Sequence, residues 1–470
     1  MTAPVLSVRG LTVCYGGAPV VQDVAFDLFP GEMLALVGLS GCGKTTVLRA
    51  LLGLLPPSAR VAGTLETPEG RIDLGDRRAL RARLGRRIGF VPQNPFDACA
   101  PHRTVQAHVE EAWRAHGRAP DCARLAVLAG RLGLDPAALA LYPHQWSGGM
   151  LQRANVAAAV ALDPPVVVAD EPTSALDADN ADATVACLRD GRRAVLLVSH
   201  DLGLVARQAD RVALIVGGRI AAQVPAGMAL SPAAPPALRD FARLAEITRP
   251  PSPPAEAAPV IAVQGVALAR GGRRLARGLN FALRPGEVLC VRGPSGSGKS
   301  TLLAVLAGRL PPAGGEVLRE GRARPPRPGE VLPLFQDALS SMNPRWDIAR
   351  VVAEPLTVGP HRRGRDERQA AARAALADLG LGHLDPRLCP GAVSTGQAQR
   401  VALARAALAR PRLILADEPT SALDPRQRGR ALDGLRRLAA TGAAIILVSH
   451  DAALTGLFGH RVLDLAAPQS

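Results

Sequence analysis

Apolar residues fall into two rhythms along this chain. In LSVRGLTVCY, residues 6–15, they alternate with polar ones at a period of two, and IAVQGVALAR, residues 261–270, repeats the pattern. Alternation buries one side of a segment and wets the other, so both are predicted to be β-type segments. Each is followed, after a Pro-Gly-Glu turn, by a short apolar run that ends at a glycine-rich loop. VVVAD and AVLLVS are further runs of near-continuous apolar character, and they alternate with helical stretches such as ALRARL and LQRANVAAAVAL. Strands alternating with helices predict an α/β fold with a largely parallel sheet, and the antiparallel openings predict a smaller β subdomain beside it. There is no run of eighteen or more apolar residues, so the chain is expected to be soluble and to span no membrane unaided.

The succession is written twice. FPGEMLALVGLSGCGKTTVLRALLGLLPP, residues 29–57, returns as RPGEVLCVRGPSGSGKSTLLAVLAGRLPP, residues 284–312. VVVADEPTSALDAD, residues 166–179, returns as LILADEPTSALDPR, residues 413–426, and VLLVSHD returns as IILVSHD. The copies are collinear over roughly two hundred residues each, too long a period for a solenoid and the mark of a duplicated domain. A chain of 470 residues also exceeds the size at which one core stops growing. Between the copies, residues 225–259 carry nine prolines, a composition that extends and resists packing. LRDFARLAEI, residues 238–247, is expected to form a short amphipathic helix within that stretch. The expected division is a first domain at 1–247, a Pro-rich linker at 248–259 and a second domain at 260–470.

Composition narrows the function. The net charge of +15 suits an anionic partner, but aromatics are only 3% of the chain and do not interleave with the arginines, which argues against a base-stacking surface for nucleic acid. The seven cysteines form no CxxC pair and MTAPVLSVRG lacks the marks of a secretory signal, so reduced thiols in cytoplasm are expected. Among 56 basic residues only two, Lys44 and Lys299, are lysines.

Those two lysines sit where arginine would fail. Residues 38–45 and 293–300 each fit G-x-x-x-x-G-K-[ST] between an apolar strand and a helical stretch. Gly38, Ser40, Gly41 and Gly43, like Gly293, Ser295, Gly296 and Gly298, form loops whose backbone amides can wrap a polyphosphate. A compact ammonium suits the β- and γ-phosphates better than a planar guanidinium. Thr45, Thr46, Ser300 and Thr301 follow, with Thr45 and Ser300 as candidate Mg²⁺ ligands. Asp170 and Asp417 end apolar strands and are candidates for a direct or second-sphere Mg²⁺ role, while Glu171 and Glu418 behind them can polarise a water for in-line attack on a γ-phosphate. The same carboxylates could instead cap a helix. His200 and His450, also after apolar strands, are candidates for γ-phosphate contact.

GLSGCGKTT, VPQNP, WSGGMLQR, VVADEP, SALD and SHD, in this order and doubled, resemble the nucleotide-binding domains of ATP-binding cassette (ABC) transporters over nearly the whole chain. The resemblance implies ATP and Mg²⁺ as cofactors, ATP hydrolysis, and a helical subdomain in each half. It implies that the halves pair head to tail within the chain, so that Ser147, Gly148 and Gly149 complete the site of Lys299, while Ser394, Gly396 and Gln397 complete that of Lys44. It implies that Gln93 and Gln336 link Mg²⁺ to the transport domain, and that Tyr15 stacks on adenine. Two positions depart from the pattern: Arg270 stands where an aromatic is expected, and Thr395 stands where the first signature glycine is expected. A threonine there crowds a phosphate, and resists a positive φ if the turn requires one. The two sites are therefore expected to be unequal.

QDALSSMNPRWDIARVVAEPL, residues 336–356, is similar to the segment of peptide and nickel importer ATPases that faces a membrane partner, and QNPFDACAPHRTV leans toward the nickel branch. The resemblance implies an energy-coupling subunit on the cytoplasmic face of a bacterial inner membrane, with two permeases and, through them, an extracytoplasmic binding protein as partners. Peptides, nickel and metal chelates are the expected cargo classes. A fused sugar-importer ATPase and a soluble duplicated translation factor are the alternatives; the Pro/Ala linker speaks against the second.

Overall fold

The computed structural model describes residues 3–465 except 174, 175, 177, 192, 245, 246, 255, 295, 358–361, 421 and 422. It divides into two compact units, Met1–Leu244 and Ala245–Ser470. The strands of the first, in chain order, are β1 (Leu6–Tyr15), β2 (Ala18–Leu28), β3 (Met33–Val37), β4 (Ala59–Thr67), β5 (Gly70–Asp73), β6 (Ile88–Val91), β7 (Val166–Asp170), β8 (Ala194–Val198), β9 (Arg211–Val216) and β10 (Arg219–Pro225). They form an antiparallel sheet in the order β2-β1-β4-β5 and a second sheet in the order β10-β9-β3-β8-β7-β6. In the second sheet only the β10/β9 pair is antiparallel.

The unbroken apolar runs occupy the middle of this second sheet. Every residue of β3, β7 and β8 is buried. With a side-chain period of two, alternate residues feed opposite faces. Leu34, Leu36, Val168 and Leu196 pack with the antiparallel sheet, whereas Met33, Val167, Val195 and Leu197 pack with the helices Val105–Arg114, Cys122–Arg131 and Gly148–Val160. The helical subdomain thus shares a core with the strands that carry the site.

The second unit repeats the plan with β11 (Ile261–Arg270), β12 (Arg273–Leu283), β13 (Val288–Arg292), β14 (Gly314–Arg319), β15 (Arg322–Ala323), β16 (Val331–Leu334), β17 (Leu413–Asp417), β18 (Ala444–Val448) and β19 (Arg461–Asp464). Its sheets run β12-β11-β14-β15 and β16-β17-β18-β13-β19, the latter parallel throughout. In both units the Pro-Gly-Glu turn closes on itself. Glu32 accepts from the Phe29 amide at 2.8 Å, and Glu287 from the Arg284 amide at 2.9 Å. These buried carboxylates also pair with Arg211 and Arg461, which lead into the strands next to β3 and β13.

The expected amphipathic helix is present as Pro236–Arg243 and buries Leu238 and Phe241. Beyond it, residues assigned to the linker are tied to the second unit. Arg249 donates to the carbonyls of Gly456 and Leu457 at 3.0 and 3.1 Å, and His460 bridges the Val288 amide and the Pro251 carbonyl. The stretch 248–251 is therefore tied to the second half, because the Arg249 guanidinium reaches two carbonyls there and the Pro251 carbonyl meets the His460 imidazole.

Candidate active site

Each glycine loop leaves a buried central strand and enters a helix, Lys44–Leu51 or Lys299–Leu306. Gly43 and Gly298 cap these helices with φ of 106° and 101°, a backbone that a side chain would strain. At Gly38 a Cβ would meet the Ile215 carbonyl oxygen at 2.5 Å, so the loop lies directly against the next strand. Gly41 and Gly296 face open space, and Ser40, Thr46 and Thr301 lie within the same loops and helix starts; Ser295 is outside the described residues. The Lys44 ammonium donates to the carbonyls of Gly38 and Leu39, both at 2.8 Å, and Lys299 donates to those of Gly293 at 2.8 Å and Pro294 at 2.9 Å. Both lysines are only 8% exposed, so each charge is folded over the mouth of its own loop.

The carboxylates arrive at the same mouths. Thr45 hydrogen-bonds Asp170, and Ser300 donates to Asp417 at 3.1 Å. Burial pushes the Asp170 carboxyl up to about 6, against the opposing pull of Thr45 and Lys44. Burial also raises Asp417, with Ser300 opposing. Oδ1 of Asp170 is buried without a hydrogen-bond partner among the described residues. A buried carboxylate oxygen that is both unsatisfied and disfavoured as an anion is suited to a divalent cation, so Thr45 and Asp170 fit Mg²⁺.

Glu171 and Glu418 are held from two sides. Gln93 Nε2 lies 3.2 Å from one Glu171 oxygen and His200 Nδ1 3.1 Å from the other. In the second unit Gln336 Nε2 lies 3.5 Å from Glu418 and His450 Nε2 2.8 Å. Burial would raise Glu171, but the hydrogen bond and charge of His200 outweigh it and hold the carboxyl below its ordinary value. His200 is in turn raised, since Glu171 outweighs the burial that disfavours its cation. In the first site each member of the pair thus favours the charged form of the other.

Sequence reasoning missed what holds these histidines. Asp201 and Asp451 accept from the amides of Leu204 and Leu454, capping the helices Leu202–Gln208 and Ala452–Phe458. Ser199 and Ser449 accept from the amides of those aspartates at 3.1 Å. The Ser-His-Asp order carries that signal, because serine and aspartate are cap and turn residues.

The remaining expected residues lie elsewhere in each unit. Tyr15 and Arg270 are the last residues of β1 and β11, so they occupy matching hairpin positions. Tyr15 is half-buried on the apolar cluster, while Arg270 is exposed and directly opposite Arg273. Ser147 caps the helix that Gly148 and Gly149 begin. Ser394 and Gln397 form a reciprocal capping box at the start of the helix Thr395–Ala409. Thr395 sits at the first helical position, exposed and without a positive φ, so this turn makes no demand that threonine resists. Gly396 is the closely packed residue there, since a Cβ would meet the end of the Gln427 side chain and Leu423.

A lysine-bearing glycine loop on a buried strand, joined by a metal-suited aspartate and a held glutamate, is built for nucleoside triphosphate hydrolysis. The ABC transporter family model matches residues 21–174 and 276–421. The chain belongs to the ABC transporter family. It is an ATPase, with ATP and Mg²⁺ as cofactors. In this ABC chain, Thr45 and Asp170 would hold Mg²⁺, which would supply positive charge against the phosphates, while the protein's own groups would orient water and accept its proton. A relative from Agrobacterium fabrum, "Peptidoglycan transport ATP-binding protein YejF", is 33% identical, with 96% of this chain and 89% of that protein covered. "Glutathione import ATP-binding protein GsiA" of Escherichia coli is also 33% identical, with 94% and 81% covered. Among solved structures, one titled "RNase-L Inhibitor" has a TM-score of 0.68 at 20% identity, with 96% of this chain and 87% of that one covered; it shares the fold.

Proposed function

We propose that the chain is the energy-coupling subunit of an ABC importer, held at the cytoplasmic face of a membrane by two permeases that receive cargo from an extracytoplasmic binding protein. The observation that carries this reading is full-length similarity, across both halves, to proteins named for peptidoglycan transport and glutathione import. Both names point to cargo containing amide-linked amino acids, so peptides are the favoured cargo class; nickel and metal chelates are further arms of a transport test. No helix among the described residues is long and apolar enough to cross a membrane, which agrees with attachment through partners.

In this reading Lys44 and Lys299 contact the β- and γ-phosphates, and Thr45, Gln93, Asp170, Ser300, Gln336 and Asp417 hold Mg²⁺. Glu171 and Glu418 take the proton of the attacking water, His200 and His450 face the γ-phosphate, and Tyr15 stacks on adenine. The linker keeps the halves at high effective concentration for head-to-tail pairing. Segments 94–110 and 337–355 meet the permeases. The first borders a cavity of about 700 Å³, and the second presents Trp346, packed on its own core with Arg350 over its ring at 4.3 Å.

The fold shared with the RNase-L inhibitor favours one second reading, a soluble duplicated factor. Affinity purification of the tagged chain from detergent-solubilised membranes separates the two. Recovery of two integral membrane subunits supports the importer, and recovery of ribosomes without them overturns it.

A further inference from the structure

We infer that Gln152 and Asn155 are positioning residues for Gln93, clamping the peptide on both sides of it and tying it to the helix that begins with Gly148 and Gly149. The inference rests on the ATPase activity and on the role proposed for Gln93.

Gln152 Nε2 donates to the Pro92 carbonyl at 3.2 Å, and Asn155 Nδ2 donates to the Pro95 carbonyl at 3.1 Å. The two bonds bracket Gln93 and Asn94. Both acceptors are carbonyl oxygens, which fixes the orientation of each side-chain amide. Spaced three apart on the helix Gly148–Val160, the two residues share one face, and both are essentially buried. Pro92 and Pro95 have no N–H to offer, so their carbonyls are the available handles.

Asn155 is a junction as well as a clamp. Its Oδ1 faces His108 Nε2 at 2.7 Å and Cys99 Sγ at 3.5 Å, so one amide joins the helix Val105–Arg114, the loop after Gln93 and the helix that Ser147 caps. A shift of the Pro92–Pro95 segment is therefore carried by a rigid helix to Gly148, about 10 Å away at 1.5 Å per residue. Pro92, His108 and Asn155 also line the cavity of about 700 Å³, so whatever fills it bears on the same junction.

The second half is built differently. The position matching Asn155 in STGQAQRVALA is Ala402, and Gln399 reaches only the Gln336 carbonyl, at 3.5 Å. Among the described residues the double clamp belongs to the first half.

The test is steady-state Mg²⁺-ATP hydrolysis by the purified full chain carrying Gln152→Ala or Asn155→Leu, the latter keeping volume without hydrogen bonds, each also combined with Gln93→Ala. Each clamp variant is expected to lower kcat about fivefold with KM for ATP within about twofold, and to cost less than about twofold further once Gln93 is alanine. Wild-type kcat in both variants, no effect of Gln93→Ala alone, or losses that multiply undiminished in that background overturn the clamp, the last being what a generally weakened fold gives. A wild-type chain without Mg²⁺-ATPase activity would instead count against the activity on which the inference rests.

Discussion

Glu171 and Glu418 share one backbone conformation, a φ of 48° at each, in the left-handed region that a glutamate rarely enters. The neighbouring strand holds it: the Glu171 amide donates to the Val198 carbonyl at 2.9 Å, and the Glu418 amide to that of Val448 at 3.1 Å. Strain of about 1 kcal/mol at each site accompanies a carboxylate held between its glutamine and its histidine. Changing both to glutamine keeps the shape and removes the proposed proton acceptor. Phosphate release by the purified double variant should fall about a hundredfold or more while ATP binding persists; an unaltered rate would assign the proton transfer elsewhere.

Pairing of the halves within one chain is tested by mixing Glu171→Gln chains with Glu418→Gln chains. The mixture should show the sum of the two separate rates. Activity above that sum would place the pairing between chains.

The His200 and Glu171 pair sets a pH window. The histidine's contribution to stability is whole below its ordinary value of 6.5 and is lost as pH rises through its raised folded value. The glutamate's contribution is whole above 4.5 and is lost as pH falls through its lowered folded value. The pair therefore stabilises most fully between 4.5 and 6.5. An NMR titration should place His200 above 6.5 in the native chain and lower in Glu171→Gln. A titration at or below 6.5 with Glu171 present would contradict an ion pair.

Asp170 works the opposite way. Its carboxyl ionises near 3.8 unfolded and about 6 folded, so stability falls as pH rises through that interval. At 1.36 kcal/mol per pH unit the cost reaches up to about 3 kcal/mol at neutral pH without metal. Asp170→Asn should therefore melt several degrees higher in the absence of Mg²⁺, while losing most of the Mg²⁺-induced stabilisation of the native chain. Equal melting temperatures and an equal Mg²⁺ response would show that Asp170 carries neither charge nor metal there.

Much of this site was legible because its chemistry depends on residue type at fixed spacing. The lysine loops, the aspartates ending apolar strands and the glutamates behind them all fall where the repeats place them. The strained φ of Glu171 was not legible, since nothing in ADEP distinguishes a strained glutamate from one capping a helix. Nor was the clamp: Gln152 and Asn155 read as polar residues in an alanine-rich helix, and only the fold brings Pro92 and Pro95 to them. The ties between the expected linker and the second half were not legible for a similar reason, because the partners of Arg249 and Pro251 are about two hundred residues away in sequence.

The central claim is that ATP turnover at both loops drives import, and the most direct measurement is uptake by cells. The native gene is replaced with one encoding Lys44→Ala and Lys299→Ala, chain abundance is matched, and entry of labelled dipeptide, oligopeptide, glutathione and nickel is followed. The account predicts that uptake of at least one peptide probe falls to the level of a strain lacking the chain. Native uptake of every probe that depends on the chain, with both lysines gone, would contradict it.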